Sequence, residues 1–204
     1  MPTLALRPPA EFTKQQRRGW YHSVALTLAR VALAPALIVA GALDAPGWLL
    51  ALIVVLAFAS DVFDGVVARR AVAVTTTLRR ADSLADTVFY LAVAWVTWRK
   101  HGDALLPYRW VIVAVLIGET LNYAVALVKF RRVASYHARS ARVSGIALVL
   151  AIVLLLAWHS AVLVPIALVA IVVSQLESIA ITLLLRESRT DVPSVLIAWR
   201  SRRV

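Results

Sequence analysis

The chain has 204 residues, 61% of them hydrophobic and only 16% charged, and its mean hydropathy is +0.80. Soluble domains are closer to about 45–50% apolar and about 25% charged, so an ordinary water-soluble fold is excluded and the bilayer is the expected solvent. The net charge of +11 is read as a mark of cytoplasmic loops and anionic lipid rather than of nucleic acid. With no cysteine, disulfides, thiolate metal sites and a cysteine nucleophile are excluded as well.

A helix that crosses a bilayer needs about 20 apolar residues. Six segments are predicted to do so: 24–43, 47–67, 84–98, 108–128, 143–161 and 162–185. The third is short unless its polar start is included. The last two almost touch, and the break between them is placed at His159-Ser160, with Pro165 beyond. Irregular backbone is unstable in lipid, so the expected fold is an all-α bundle of six transmembrane helices forming one domain over residues 1–204. Stretches 11–22 and 193–203 mix bulky apolar and basic residues and are expected as short interfacial helices. Five apolar segments follow the first, so the first is expected to stay in place rather than be cleaved as a signal.

Lysine and arginine orient the bundle. Eighteen of them fall on the side that carries both termini, and three (Arg99, Lys100 and Arg109) on the other, while Arg30 lies inside the first segment. The rich side is expected to face the cytoplasm, with the protein in the cell membrane. Trp20, Trp48, Trp95, Trp98, Trp110 and Trp158 stand near segment ends and are expected as an interfacial belt.

The chemistry-bearing stretch runs from Asp61 to Asp86. On a helix, Asp61, Asp64, Gly65, Ala68 and Arg69 fall at i, i+3, i+4, i+7 and i+8 and share one face. Asp82 and Asp86 share a face of the next helix at i, i+4. Adjacent helices joined by a short link bring the four carboxylates together. Unpaired, they would repel one another, and near lipid the cost of each charge rises. Divalent cations resolve both problems, and an oxygen-only donor set favours Mg²⁺ or Mn²⁺ over Zn²⁺. Arg69, with Arg70, Arg79 and Arg80 nearby, suits a phosphate.

This stretch resembles the signature of the CDP-alcohol phosphotransferases, D-x2-D-G-x2-A-R-x8-G-x3-D-x3-D. Seven of its eight specified positions match at the right spacings, and the eighth, a glycine, is Leu78 here. The resemblance implies transfer of a phosphatidyl group from a CDP-linked lipid, such as CDP-diacylglycerol, to an alcohol, with CMP leaving, in phospholipid synthesis. It implies that Asp61, Asp64, Asp82 and Asp86 hold a pair of Mg²⁺ or Mn²⁺ ions. It also implies that Asp86 is the general base, that Gly65, Ala68 and Arg69 line the nucleotide and pyrophosphate site, and that the protein is a homodimer. The acceptor alcohol stays open among glycerol 3-phosphate, inositol phosphate, serine and a phosphatidyl lipid.

Other polar residues lie within the apolar segments. Ser23, Thr27 and Arg30 form one stripe of the first, and "TLAR" resembles the Thr-x-x-Arg that often opens this family. Arg30 is a candidate phosphate or acceptor contact, with pairing to a carboxylate as the other reading. His137, Arg139 and Arg142 are candidates for contact with a phosphorylated or acidic acceptor. Glu119 with Asn122 and Tyr123, and Glu177 with Ser174 and Ser178, read as helix-to-helix hydrogen bonding or as site residues. The competing classes are an inactive relative that serves as a lipid-binding subunit, a prenyltransferase of the UbiA type, and a cation transporter with an acidic site. A transporter usually carries repeats and broken helices, and none is visible.

Leu78 tests the inactive reading. The four aspartates keep their spacing, so the leucine is expected to point away from the nucleotide, and Leu78→Gly to gain little activity. A wild type that is inactive until Leu78 becomes glycine would overturn this.

Overall fold

The computed structural model describes residues 11–71, 76–131, 139–185, 192 and 194–200; side chains are described for these except 64–71, 76–80, 83 and 200. The described residues are helical throughout, with no strand among them. The helices are α1 (Lys14–Ala42), α2 (Gly47–Ala71), α3 (Thr76–Leu105), α4 (Arg109–Phe130), α5 (Arg139–Trp158), α6 (Val164–Leu184) and the short α7 (Val195–Arg200). A 3-10 turn, Leu106–Tyr108, leads into α4. Among the described residues, four stretches are long and apolar enough to cross a membrane: Lys14–Ala42, Leu84–Phe130, Arg139–Trp158 and Val164–Leu184. The second of these contains the turn between α3 and α4, and the apolar part of α2, Gly47–Phe63, is shorter.

Six long helices thus stand among the described residues where six apolar segments were expected, but three starts differ, α5 beginning at Arg139 rather than 143. α1 begins at Lys14, so residues 14–22 continue the first apolar segment and do not form a separate interfacial helix. Thr13 and Gln16 fix that start with a reciprocal capping box, in which Thr13 Oγ1 accepts from the Gln16 backbone N–H at 3.3 Å and the Thr13 N–H donates to Gln16 Oε1 at 2.9 Å. α3 begins at Thr76, eight residues before the apolar segment, and so carries Asp82 and Asp86 in its first turns. The break between α5 and α6 falls as expected. His159 takes a left-handed φ of 56° after Trp158, and Pro165 sits in the first turn of α6.

The residues divide into two compact units. One lies within Met1–His101 and Leu156–Trp158, the other within Gly102–Leu155 and His159–Val204. The division falls at His101, whose φ of −136° interrupts the helical backbone of α3.

In the first unit, α1 and α2 pack along one another and are joined by the link 43–46. Asp44 in this link has a left-handed φ of 57°. α1 and α3 run parallel, in constant register. Arg30 meets Asp86, Gly41 meets Val96, and Asp44 meets Lys100, always 55 or 56 residues apart. The Lys100 Nζ donates to Asp44 Oδ1 at 2.7 Å and holds that exposed carboxyl below the usual carboxylate range. Leu37, Leu50, Val54, Ala57, Phe89 and Val96 are buried in this unit. Trp20 is buried as well, edge-on to Tyr21, and so departs from the expected belt; Trp48, Trp95, Trp98, Trp110 and Trp158 are exposed.

In the second unit, Ala151 and Leu155 of α5 pack on Val164, Ala167 and Leu168 of α6. Lys129 near the end of α4 donates to the carbonyls of Thr182 and Leu183 at 2.9 and 2.7 Å, satisfying two of the last acceptors of α6. Ile181 and Leu185 then pack against Val192 and Ala198, which seats α7.

Two glycines of the first unit mark close approaches. A Cβ on Gly41 would meet the Val96 side chain at 2.8 Å, whereas one on Gly47 would meet the backbone oxygen of Leu156 at 1.9 Å. A side chain can turn aside and a helical carbonyl cannot. Gly47→Ala should therefore destabilise the protein more than Gly41→Ala, at the upper part of the about 1–3 kcal/mol typical of overpacking. Thermal unfolding in detergent checks the order, and equal midpoints for the two variants would contradict it.

Candidate active site

The site is built on the first unit by three helices. α2 supplies Asp61, and α3 supplies Asp82 and Asp86 one turn apart. α1 faces them with Thr27 and Arg30, three residues apart on one side of the helix. Each of the three carboxylates offers an oxygen, and these atoms lie within 4.8 Å of one another. The carboxylates are partly open, with side-chain exposures of 41% for Asp61, 28% for Asp82 and 27% for Asp86.

Arg30 lies between them and is 2% exposed. Its Nη1 donates to Asp61 Oδ1 at 3.3 Å and, very closely, to Asp86 Oδ1, while its Nη2 donates to Asp82 Oδ1 at 2.8 Å. Thr27 Oγ1 adds a hydrogen bond to the same Asp82 oxygen at 3.3 Å. Arg30 thus pairs with carboxylates, one of its two readings from sequence. Among the described residues, one guanidinium from α1 stands against three carboxylates on the buried side of the cluster, and the carboxylates are partly open on the other.

The donor set fits a hard divalent cation. It is all carboxylate oxygen, it already holds one cation, and its acids are partly open. Asp61, Asp82 and Asp86 are the described residues able to hold such an ion.

The remaining expected site residues are placed less completely. Asp64, Gly65, Ala68 and Arg69 lie on α2, whose helical backbone supports the shared face with Asp61, but their side chains are outside the described residues. The Leu78 side chain is outside them too. Its backbone is in the first turn of α3, in helical geometry that needs no glycine. His137 lies outside the described residues, and Arg139 and Arg142 are exposed in the first turn of α5, in the second unit.

Sequence spacing showed the Ser23, Thr27 and Arg30 stripe but not its target. Thr27 and Arg30 meet the acids, whereas Ser23 is buried with no hydrogen-bond partner for its Oγ among the described residues. The two acidic stripes of the second unit resolve as helix-to-helix bonding. Gln175 Nε2 donates to the Val115 carbonyl at 2.9 Å and to Glu119 Oε2 at 3.2 Å. Glu177 accepts from Ser140 Oγ of α5 and, through Oε1 at 3.1 Å, from the backbone N–H of Val195 at the start of α7.

The sequence model of the CDP-alcohol phosphatidyltransferase family matches residues 20–188. The chain belongs to this family. Compared with curated proteins and with solved structures, it gives no match. CDP-alcohol phosphatidyltransferases move a phosphatidyl group from a CDP-alcohol, and the matched span includes every residue of the acidic cluster and Arg30.

Glu177 is the tie between three helices of the second unit. Glu177→Ala would remove the acceptor of a half-buried hydroxyl and of an N–H at a helix start, at a cost of about 0.5–1.5 kcal/mol for each hydrogen bond. Faster amide hydrogen exchange across 195–200 is the expected outcome. Unchanged exchange there would show that Glu177 does not hold α7.

Proposed function

We propose that this family member transfers the phosphatidyl group of CDP-diacylglycerol to a small alcohol and releases CMP, as a divalent-metal-dependent enzyme of phospholipid synthesis. The single observation that carries the reading is the convergence of Asp61, Asp82 and Asp86 from α2 and α3 within one partly open cluster. Asp61, Asp64, Asp82 and Asp86 would hold Mg²⁺ or Mn²⁺, in two ions. When bound, such ions supply positive charge to the pyrophosphate and to the departing CMP phosphate. The all-helical build and the apolar exterior, with Leu116, Ile117, Val128 and Ile166 among many exposed side chains, support a bundle of six spans in the cell membrane. In that reading the two units form one transmembrane domain and the chain pairs as a homodimer. The excess of basic residues on one side supports a site and termini that face the cytoplasm.

The residues divide the work. Gly65 and Ala68 leave room for the nucleotide to approach α2, and Arg69 pairs with phosphate oxygen. Asp86 takes the proton of the acceptor hydroxyl. The acceptor oxygen then bonds to the phosphorus of the phosphatidyl group, the phosphoanhydride bond to CMP breaks, and its electron pair leaves with CMP. His137, Arg139 and Arg142 bind the acceptor's acidic group. The diacyl chains stay among the apolar faces of the helices while the charged head group reaches the carboxylates.

Purified protein in mixed micelles should release CMP from CDP-diacylglycerol when Mg²⁺ or Mn²⁺ and the right alcohol are present. Asp86→Asn should retain CDP-diacylglycerol binding and lose turnover by at least the about 10²–10⁴-fold that a general base contributes. A loss of less than about tenfold would rule Asp86 out as the base. No CMP release with any alcohol tried, under conditions where the lipid binds, would favour the inactive relative.

A further inference from the structure

We propose that Arg30 is a tethered counter-cation that a divalent ion displaces: it holds Asp61, Asp82 and Asp86 together while the ion is away, and moves off them onto donor phosphate when the ion binds. The proposal rests on the reading of this cluster as the divalent-ion site.

The geometry sets the two cations in competition for the same oxygens. Arg30 uses the Oδ1 atoms of all three carboxylates at once. A Mg²⁺-sized ion binds oxygen at about 2.0–2.1 Å. The cluster offers its oxygens within 4.8 Å of one another, so an ion that takes the Oδ1 atoms Arg30 now holds would stand against the guanidinium. Arginine cannot lower this repulsion by losing a proton. It has to move. The guanidinium has a long flexible stem and a fork of donors that suits phosphate as well as carboxylate, and the phosphates of the donor lie beside the ion they share. The same residue then serves the two roles that its sequence position left open, one in each state.

The arrangement also answers a folding problem. Three carboxylates on two neighbouring helices repel one another and carry a desolvation cost near lipid. With Arg30 among them, α1, α2 and α3 are held in the right places before an ion arrives. The ion then meets a preformed site, but binds more weakly than the bare acids would allow, because a competing cation must leave.

The test uses the full-length protein in detergent, with Mn²⁺ as the probe and its free fraction followed by electron paramagnetic resonance. Removing a competitor should tighten binding by an amount in the about 5–150-fold range of ordinary site coupling. Arg30→Gln is thus expected to bind Mn²⁺ at least about fivefold more tightly than wild type, and to melt lower than wild type in EDTA with a larger rise on adding Mn²⁺. Mn²⁺ affinity that is unchanged or weaker in a folded Arg30→Gln protein overturns the displacement. Wild type that binds Mn²⁺ no better than Asp61→Asn overturns the metal reading itself. Should Arg30→Gln not fold, the wild type decides: phenylglyoxal should leave Arg30 unmodified in EDTA and modify it once Mn²⁺ is bound, read by mass spectrometry of the peptide. Reactivity that stays the same or falls with Mn²⁺ shows that the guanidinium has not left the acids.

Discussion

Everything in the first unit depends on compensating charge where water is scarce. Carboxylates grouped on adjoining helices are unstable unless a cation stands among them, and breaking a buried pair by removing one partner typically costs about 3–5 kcal/mol. Here the cation comes from α1, and the acids come from α2 and α3. The ion pairs therefore cross-link three helices, with the Thr27 hydrogen bond to Asp82 beside them. They also decide polarity within the site, because the guanidinium is enclosed while the acids keep an open side.

Much of this could be read from residue spacing. The aspartates at i, i+3 and at i, i+4 announce a common face on each of two helices, and the structure puts three of them together. The Ser23, Thr27 and Arg30 stripe was equally plain. Spacing tells which side chains share a face of their own helix, however, and not which helix that face meets. That is why Arg30 could be read toward phosphate as readily as toward carboxylate. Element ends were harder, for a similar reason. Hydropathy starts the third segment at residue 84 because it counts the aspartates as breaks, while a helical backbone satisfies its own hydrogen bonds and runs on from Thr76 through them. The start of α1 was legible in Thr13-x-x-Gln16, a capping signature that the apolar periodicity overshadowed.

The second unit ties its acidic residues to neutral donors on neighbouring helices. Glu119, Gln175, Glu177 and Ser140 are matched donor to acceptor, and Lys129 is spent on carbonyls at the end of α6. Hydrogen bonds of this kind set the rotation of one apolar helix against another, which Leu and Val side chains alone leave poorly determined. The contrast with the first unit is chemical. Paired polar groups lock packing, whereas three partly open carboxylates gathered about one cation are poised to take a ligand.

The parallel course of α1 and α3 carries a consequence for how this chain can vary. Fourteen residues separate Arg30 from Asp44, and fourteen separate Asp86 from Lys100. The two helices are thus equal rulers of about 21 Å, at about 1.5 Å per residue, pinned by ionic contacts at both ends. Apolar exchange between the pins leaves both ends engaged. A single insertion or deletion in one helix alone turns everything beyond it by about 100° and shifts it by about 1.5 Å, so that one pin or the other must let go. Variation between the pins is therefore confined to side-chain identity, with length held fixed in both helices together.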